Sequence, residues 1–107
     1  MHKEKVLVTT AIDYVNDVIH LGHAYQKMLA DCVARFERLK RGNAQVLYVT
    51  GTDEHGQKVY KIAQEKNEDV QEYVDKIAKK DQEQQDALNI SYDRFIRTTD
   101  EDHVKFA

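Results

Sequence analysis

Short apolar runs and a long helical stripe alternate along the first fifty residues. The segment Lys5 to Thr10 contains a β-branched apolar run that is too short for a helix and typical of a strand buried on both faces. From Gly22 onward, apolar side chains recur at spacings of three and four, which predicts a helix. Its apolar stripe consists of Tyr25, Met28, Leu29, Cys32, Phe36 and Leu39. The segment Gln45 to Thr50 predicts a second strand, so this region forms a βαβ unit with parallel strands and a right-handed crossover.

The second half of the chain returns to helical spacing after a polar loop, Thr52 to Gly56. Two helices are predicted there, with a break near Asn67 to Asp69. The very polar run Lys79 to Asp86 is interpreted as a solvated helix face. Arg94 to Thr99 alternates enough for a third strand, and the acids at Asp100 to Asp102 favour the start of a last helix. We therefore predict one α/β domain, residues 1–107, with a parallel sheet and no second domain.

Composition excludes several classes of protein. The 107 residues are 41% apolar and 33% charged with a net charge of −3, which argues against a disordered chain and a strongly basic nucleic-acid module. No apolar run reaches the roughly 20 residues of a membrane span, and no secretory signal is recognised, so we expect a cytoplasmic location. The single cysteine, Cys32, is expected to be buried and reduced. Proline is absent, although average usage predicts about five.

The predicted topology indicates where a ligand binds. In open α/β sheets, ligands occupy the crevice beyond the carboxyl ends of the strands. The loops at that edge are Ala11 to Leu21 and Gly51 to Gly56. They contain the most chemically suggestive side chains of the sequence, which are His20, His23, Asp53 and His55.

His20 and His23 stand at the entry to the first helix, where unpaired backbone N–H groups and the helix dipole favour an anion such as phosphate. Because they are three positions apart, both imidazoles can donate hydrogen bonds to one phosphate group. Gly22 has no Cβ, so a flat ligand such as a base or ribose can approach the backbone there. Asp53, across the crevice, is suited to hold a cationic group such as an α-ammonium.

Two alternatives remain open from the residues alone. His20 and His23, with Asp53 or His55 as a third ligand, are compatible with an open zinc or iron site of a small metal-dependent hydrolase. Asp53 is also compatible with a simple role as the N-cap of the helix that begins near Gly56.

Four stretches in order resemble one enzyme family. The segment Val8 to Asp17, followed by His20-Leu21-Gly22-His23-Ala24-Tyr25, resembles the first catalytic block of class I aminoacyl-tRNA synthetases. The segments Gly51 to Lys58, Glu72 to Ile77 and Asn89 to Asp100 are similar to methionyl-tRNA synthetases. The resemblance runs from about Val6 to His103. It implies the first half of a Rossmann-like nucleotide-binding domain.

The resemblance also implies a reaction, a substrate set and a role for each matching residue. Methionine and ATP, with Mg²⁺, would give methionyl-adenylate, and the methionyl group would then pass to tRNA(Met), which is bound through domains absent from this sequence. His20, Gly22 and His23 would bind ATP, with the two histidines catalytic. Asp53 would bind the methionine amino group, and Ile12 and Tyr14 its side chain. A resident metal is not expected.

The same resemblance leaves open whether this chain is active alone. We expect a fragment that needs the complementary half of the synthetase, or that self-associates. The alternative is a non-catalytic module with the synthetase fold that binds other proteins. Family members usually carry an aromatic residue or proline at Asp13, so an anion is expected beside an apolar pocket. Three positions where the family accepts proline are Ala11, Ile19 and Val70, and this chain has none.

Overall fold

The computed structural model describes residues 4–14 and 20–107. The strands are β1 (Val6–Thr9), β2 (Asp13–Tyr14), β3 (Val46–Asp53) and β4 (Arg94–Arg97), and the helices are α1 (Leu21–Arg41), α2 (Gln57–Glu65), α3 (Val70–Ala87) and α4 (Glu101–Phe106). A 3₁₀ turn, Asn43–Gln45, joins α1 to β3. The predicted order of elements is confirmed, including the break between α2 and α3, where Asn67 adopts a φ of 55°. Ile19, one of the family's proline positions, lies outside the described residues.

Strand β3 is the centre of a fully parallel sheet. It pairs with β1 from Val46 to Val49, and with β4 from Val49 to Thr52. Gly51 is required where β3 meets β4, because a Cβ atom there would overlap the carbonyl of Ile96. The α/β class with a parallel sheet is therefore confirmed.

Residues 11–21 were predicted as one loop, which is wrong at β2. Asp13 and Tyr14 pair in parallel with Thr52 and Asp53. Because Thr52 already pairs with Arg97 on one side, β2 lies on the other side of β3 and continues the line of β1. The chain advances four residues from Thr9 to Asp13 while β3 advances three, from Val49 to Thr52, so one extra residue makes a β-bulge between β1 and β2.

Helices cover one face of this sheet. Val8, Val46 and Tyr48 pack beneath Ala34 of α1 and Ile90. A second apolar cluster joins α2 and α3 through Val59, Ala63, Tyr73, Val74 and Ile77. On the opposite face of the sheet, Leu7 is 64% and Leu47 49% exposed. The prediction that the first strand is buried on both faces is therefore wrong, and the molecule is a slab of 56 × 32 × 16 Å.

The face of helix α1 that packs on the sheet is opposite to its apolar stripe. Its buried residues are Lys27, Asp31 and Ala34, whereas Phe36 is 61% exposed and Leu39 90% exposed. Cys32 is exposed, so its predicted burial is wrong. Helical spacing shows which residues share a face, but it does not show which face meets the sheet. None of the described helices is long and apolar enough to cross a membrane.

The polar run Lys79 to Asp86 is also not simply a solvated face. Asp81 and Gln85 are buried where α3 faces the sheet. Both side chains belong to a polar cluster next to the bulge between β1 and β2, and this cluster bears on the candidate site.

Candidate active site

The N-terminus of α1 is built from the two predicted histidines. His20 is the N-cap, with extended backbone at φ −107° and ψ −177°. The backbone N–H of Gly22 donates to Nδ1 of His20 at 3.1 Å, and the N–H of His20 donates to Nδ1 of His23 at 3.4 Å. This reciprocal arrangement is a capping box made with imidazoles. It explains locally why α1 begins at Leu21.

The caps also fix the orientation of both rings. Because each Nδ1 accepts a hydrogen bond, the proton of the neutral ring is on Nε2 in both histidines. The two rings stack with their centroids 3.8 Å apart and their planes 17° apart. Two Nε2–H donors on nearly parallel rings therefore stand together at the positive end of a helix dipole, which is a suitable arrangement for a polyanion.

Gly22 fits closely beneath the His20 ring. A Cβ atom at residue 22 would lie 3.0 Å from Cε1 and 3.3 Å from Nδ1 of that ring. These separations are shorter than ordinary van der Waals contact, so a larger residue would displace the imidazole. The glycine therefore has a role within the chain, besides the ligand approach predicted from sequence.

A groove opens beside His20 between the start of α1 and the end of α3. Its volume is about 370 Å³, and its lining is mostly apolar: His20, Leu21, Ala24, Gln84, Ala87 and Leu88. No sequence pattern indicates this groove, because the residues from α3 are more than sixty positions from His20.

Asp53 and Tyr14 are neighbours at the other side of the site. They are aligned partners in the pairing of β2 with β3. The Asp53 carboxylate makes no hydrogen bond or ion pair with any residue in the described part of the chain, and it is partly exposed. The N-cap of α2 is Gly56, so the alternative of Asp53 as that cap is wrong. A free carboxylate in this position is available to a cationic ligand.

Tyr14 and Ile12 face different surroundings. Tyr14 packs against the apolar cluster of α2 and α3, and its hydroxyl lies against Gly56, where φ is 146°. Ile12 belongs to the bulge and is 38% exposed. The structure thus brings Tyr14 next to Asp53, while Ile12 contributes an open apolar surface before β2.

Glu54 supports the Asp53 loop, and the sequence interpretation missed it. Its side chain is buried, and Arg97 donates to it from Nε at 2.8 Å and from Nη2 at 2.5 Å. The hydroxyls of Thr52 and Thr99 donate to the same carboxylate. The hydrogen bonds to Glu54 raise the pKa of Arg97 above its ordinary value. Burial opposes this rise, and a hydrogen bond to Asp75 adds to it. The chain beyond β3 is therefore anchored to β4.

Asp13 does not lie in an apolar pocket, contrary to the expectation from sequence. It is buried, and one carboxylate oxygen is 3.3 Å from the ammonium of Lys27, which is fully buried on α1. Lys27 was also missed as a site residue. Helical spacing puts Lys27, Asp31 and Ala34 on one face, opposite to the large apolar stripe, but it does not indicate that this polar face is the buried one.

The metal-site alternative requires three ligands close together. Among residues 4–14 and 20–107, no group of three or more His, Cys, Asp or Glu side chains is arranged to hold a metal ion. His55 is instead directed to the carbonyl of Thr98, at 3.4 Å from Nε2. The described residues therefore do not form the site that a metal-dependent hydrolase needs.

Comparisons with known proteins identify the family of the chain. The family model described as tRNA synthetases class I (M) matches residues 6–107. The chain belongs to this family. The methionine-tRNA ligase of Rickettsia bellii is 50% identical over 98 residues, covering 92% of this chain and 19% of the ligase. That of Clostridium tetani is 44% identical over 105 residues, covering 98% of this chain and 16% of the ligase.

A solved class I synthetase has the same fold. The structure of Mycobacterium tuberculosis methionyl-tRNA synthetase in complex with methionyl-adenylate matches with a TM-score of 0.90 and 45% identity, over 97% of this chain and 20% of that chain. The present chain thus spans about one fifth of the length of the synthetases it matches. The fold predicted from the synthetase motifs is confirmed, and it represents a part of the larger family architecture.

Proposed function

We propose that this chain forms the N-terminal part of the active site of a methionine-tRNA ligase. In the first step, a carboxylate oxygen of methionine forms a bond to the α-phosphorus of ATP, and the bond to the β-phosphate side breaks to release pyrophosphate. In the second step, the terminal ribose hydroxyl of tRNA(Met) replaces the adenylate on the methionyl carbonyl carbon. Membership in the class I family and similarity to methionine-tRNA ligases support this assignment.

The observation that carries the proposal is the pair of Nε2–H donors at the N-terminus of α1. Negative charge builds on the phosphate oxygens as the new bond forms and the old one breaks. Preorganised donors at that point stabilise the transition state without covalent chemistry by the protein. His20 and His23 are therefore assigned as catalytic residues, and His20, Gly22 and His23 as the ATP-binding set. Mg²⁺ is assigned to the substrate, as the magnesium complex of ATP.

Methionine is assigned to the opposite side of the site. The free carboxylate of Asp53 binds the α-ammonium group by a charge-assisted hydrogen bond. Ile12 and the ring of Tyr14 provide apolar contacts for the thioether side chain. The alignment of Tyr14 with Asp53 supports this placement, because it puts an apolar surface beside the charge that fixes the amino acid.

The exposed apolar surfaces support a requirement for the rest of a ligase. The outward stripe of α1 and the side of the sheet with Leu7 and Leu47 are far more exposed than is usual for a stable monomer. The unpaired edge of β1 among the described strands adds a further docking position. We assign these surfaces to the complementary part of the catalytic domain, with tRNA(Met) bound through that part, in the cytoplasm where translation takes place.

The test is methionine-dependent exchange of labelled pyrophosphate into ATP. The 107-residue chain is mixed with a methionine-tRNA ligase from which the matching N-terminal segment has been deleted, and each piece is also assayed alone. We expect exchange only in the mixture, and a loss of at least about 100-fold in the variants His20→Asn and His23→Asn. Omission of methionine provides the blank.

Two results would contradict the proposal. Exchange that is equal in the histidine variants would remove the histidines from the chemistry. A mixture that forms a stable complex but shows no exchange would instead favour the non-catalytic assembly module, which the same exposed surfaces also suit. Size-exclusion chromatography of the mixture, and of the chain alone, separates binding to the ligase part from self-association.

A further inference from the structure

A buried polar cluster lies directly under the loop that carries Ile12 and Tyr14. It contains Lys27 of α1, Asp13 of β2, and Asp81 and Gln85 of α3. Each of these side chains is 5% exposed or less. Charged groups are rarely buried unless they are paired, so a specific arrangement must hold this cluster.

Lys27 ties α1 to the bulge between β1 and β2. Its ammonium donates to the carbonyl of Ala11 at 2.5 Å and to the hydroxyl of Thr10 at 3.1 Å, and it lies 3.3 Å from Asp13. The buried ammonium therefore has two hydrogen bonds and one ion pair. Lys27 also stands one helical turn after His23, so the same turns of α1 hold the histidines and the loop.

Asp81 provides a hydrogen-bond donor that the cluster otherwise lacks. The second carboxylate oxygen of Asp13, Oδ2, is buried and has no hydrogen-bond donor among the described residues. Asp81 is in hydrogen-bonding reach of Asp13, and a proton on Asp81 supplies that donor. Burial first, and then the nearby Asp13 carboxylate, raise the pKa of Asp81 to about 7, against the lowering effect of a hydrogen bond from Gln85 and the charge of Lys27.

We propose that Lys27 is a positioning residue for the methionine side of the site, held in place by Asp13 and Asp81. This inference rests on the proposed function for its catalytic meaning. Lys27 fixes the backbone of Ala11, and therefore the adjacent Ile12, at a set distance from α1. Loss of the ammonium loosens the loop next to the assigned methionine pocket and leaves the cap of α1 at His20 intact.

The kinetic test uses four variants of the full chain, each combined with the deleted ligase. Lys27→Met removes the ammonium at nearly constant length, Asp81→Asn keeps a neutral donor, and Asp81→Leu removes the donor. Lys76→Met is the matched control, because Lys76 makes an exposed ion pair with Glu68 on the surface. We expect Lys27→Met to raise the KM for methionine about tenfold or more, with little change in the KM for ATP. Asp81→Leu should raise the KM for methionine by a smaller factor. Asp81→Asn and Lys76→Met stay near the parent chain.

The pH profile provides a readout that a merely structural role would not change. The titratable groups facing Asp81 from other described elements are Asp13 on β2 and Lys27 on α1. The KM for methionine of the parent mixture is expected to rise as the pH increases through about 7 and Asp81 ionises, and Asp81→Asn is expected to flatten that rise. Equal profiles for the parent and Asp81→Asn, or a parallel rise of both KM values in Lys27→Met, would overturn the inference.

Nuclear magnetic resonance keeps the inference testable if the mixture shows no exchange. In the 107-residue chain, the amide signals of Ala11 and Ile12 are expected to shift with pH near 7, and to lose that shift in Asp81→Asn. They are also expected to move in Lys27→Met and to remain in place in Lys76→Met. Unchanged Ala11 and Ile12 signals in Lys27→Met would refute the positioning role, whereas absent exchange alone would refute only the proposed function.

Discussion

The hydroxyl of Tyr14 occupies the space that a Cβ atom on residue 56 would need. Gly56 also has a φ of 146°, a conformation that residues with a side chain rarely adopt. The tyrosine and the glycine therefore fix each other across the two loops of the candidate site. Tyr14 keeps its place beside Asp53 because residue 56 has no side chain.

Substitution Gly56→Ala is expected to displace Tyr14 and to weaken methionine binding. The backbone strain alone costs about 1–2 kcal/mol of unfolding free energy, and the overlap with Tyr14 adds to it. Urea denaturation and calorimetric titration with methionine in the mixture measure the two effects. In Gly56→Ala with Tyr14→Phe, part of the stability should return because the overlapping oxygen is gone. No recovery would mean that strain at residue 56 dominates.

Asp81 gives the stability an unusual dependence on pH. Its pKa is 3.8 in the unfolded chain and about 7 in the folded one, so the folded state retains a proton that the unfolded state has lost. The stabilisation of the folded state by this proton is complete below pH 3.8. It is lost as the pH rises through about 7, and the free energy of unfolding falls by up to about 1.4 kcal/mol per pH unit. Thermal unfolding from pH 4 to 8 should show this decline in the parent chain and a flatter profile in Asp81→Asn.

Asp31 gives the stability the opposite dependence on pH. Burial alone would raise its pKa, but hydrogen bonds from Ser91 and Arg35 together lower it below 3.8. Its stabilising effect is present above pH 3.8 and is lost on acidification below that value. In a plot of stability against pH, the Asp31→Asn variant should therefore differ from the parent at acid pH. The Asp81→Asn variant should differ from the parent near neutral pH. Identical profiles of the two variants would contradict both assignments.

Loss of Arg97 is expected to destabilise the region around Asp53. The variant Arg97→Leu leaves the Glu54 carboxylate buried without its bidentate partner, at a cost of about 3 kcal/mol or less because Arg97 keeps some contact with solvent. Adding Glu54→Gln should restore part of this loss, since no buried charge remains. Arg94→Leu is the control, because its ion pairs with Asp100 and Asp102 lie at the surface. A urea midpoint that falls equally in both arginine variants would contradict the prediction.

The two roles of His20 can be separated by substitution. Asparagine is a good N-cap, so His20→Asn should retain the stability of α1, while His20→Ala should lose about 1 kcal/mol of unfolding free energy. Both variants lack the Nε2–H donor and should abolish exchange in the mixture. Circular dichroism during urea denaturation measures the stability of the helices in the two variants and in the parent chain. Exchange that survives in His20→Asn would show that capping is the only role of His20.

Cys32 reports on assembly, because the only thiol of the chain lies on the exposed apolar stripe of α1. In the chain alone it should react readily with a thiol reagent. Binding of the complementary ligase part should slow that reaction by at least about tenfold, as the surface becomes covered. Mass spectrometry of the labelled chain measures the rate. Unchanged labelling in a mixture that shows exchange would place the docking surface elsewhere.

The order of the elements was predictable because each has its own periodicity and its own ends. The stripe of α1 and the short apolar runs of β1 and β3 distinguish helix from strand, and Asp69 marks the start of α3 by accepting from the N–H of Glu72. The histidine pair was predictable for the same reason, since three positions and a helix start suffice to bring the rings together.

Burial and long-range polar contacts were not predictable in this way. The face of α1 that meets the sheet holds Lys27 and Asp31, while Phe36 and Leu39 point outward, the reverse of the usual placement of apolar and charged side chains. The cluster of Lys27, Asp13 and Asp81 joins three elements that are far apart in sequence. No local sequence pattern indicates that these three side chains come together, although each has an ionisable group.

The single extra residue between β1 and β2 decides which side chain points toward the helices. Neighbouring residues of a strand point to opposite faces of a sheet, and aligned residues of parallel strands point to the same face. With the bulge, Asp13 is aligned with Thr52 and faces Lys27. If the same residues paired regularly after Thr9, Ile12 would be aligned with Thr52 and Asp13 with Asp53, on the other face. The extra residue therefore places a carboxylate, and not the apolar side chain of Ile12, beside the ammonium of Lys27, whereas a deletion between Thr9 and Asp13 would remove the bulge and leave Asp13 aligned with Thr52.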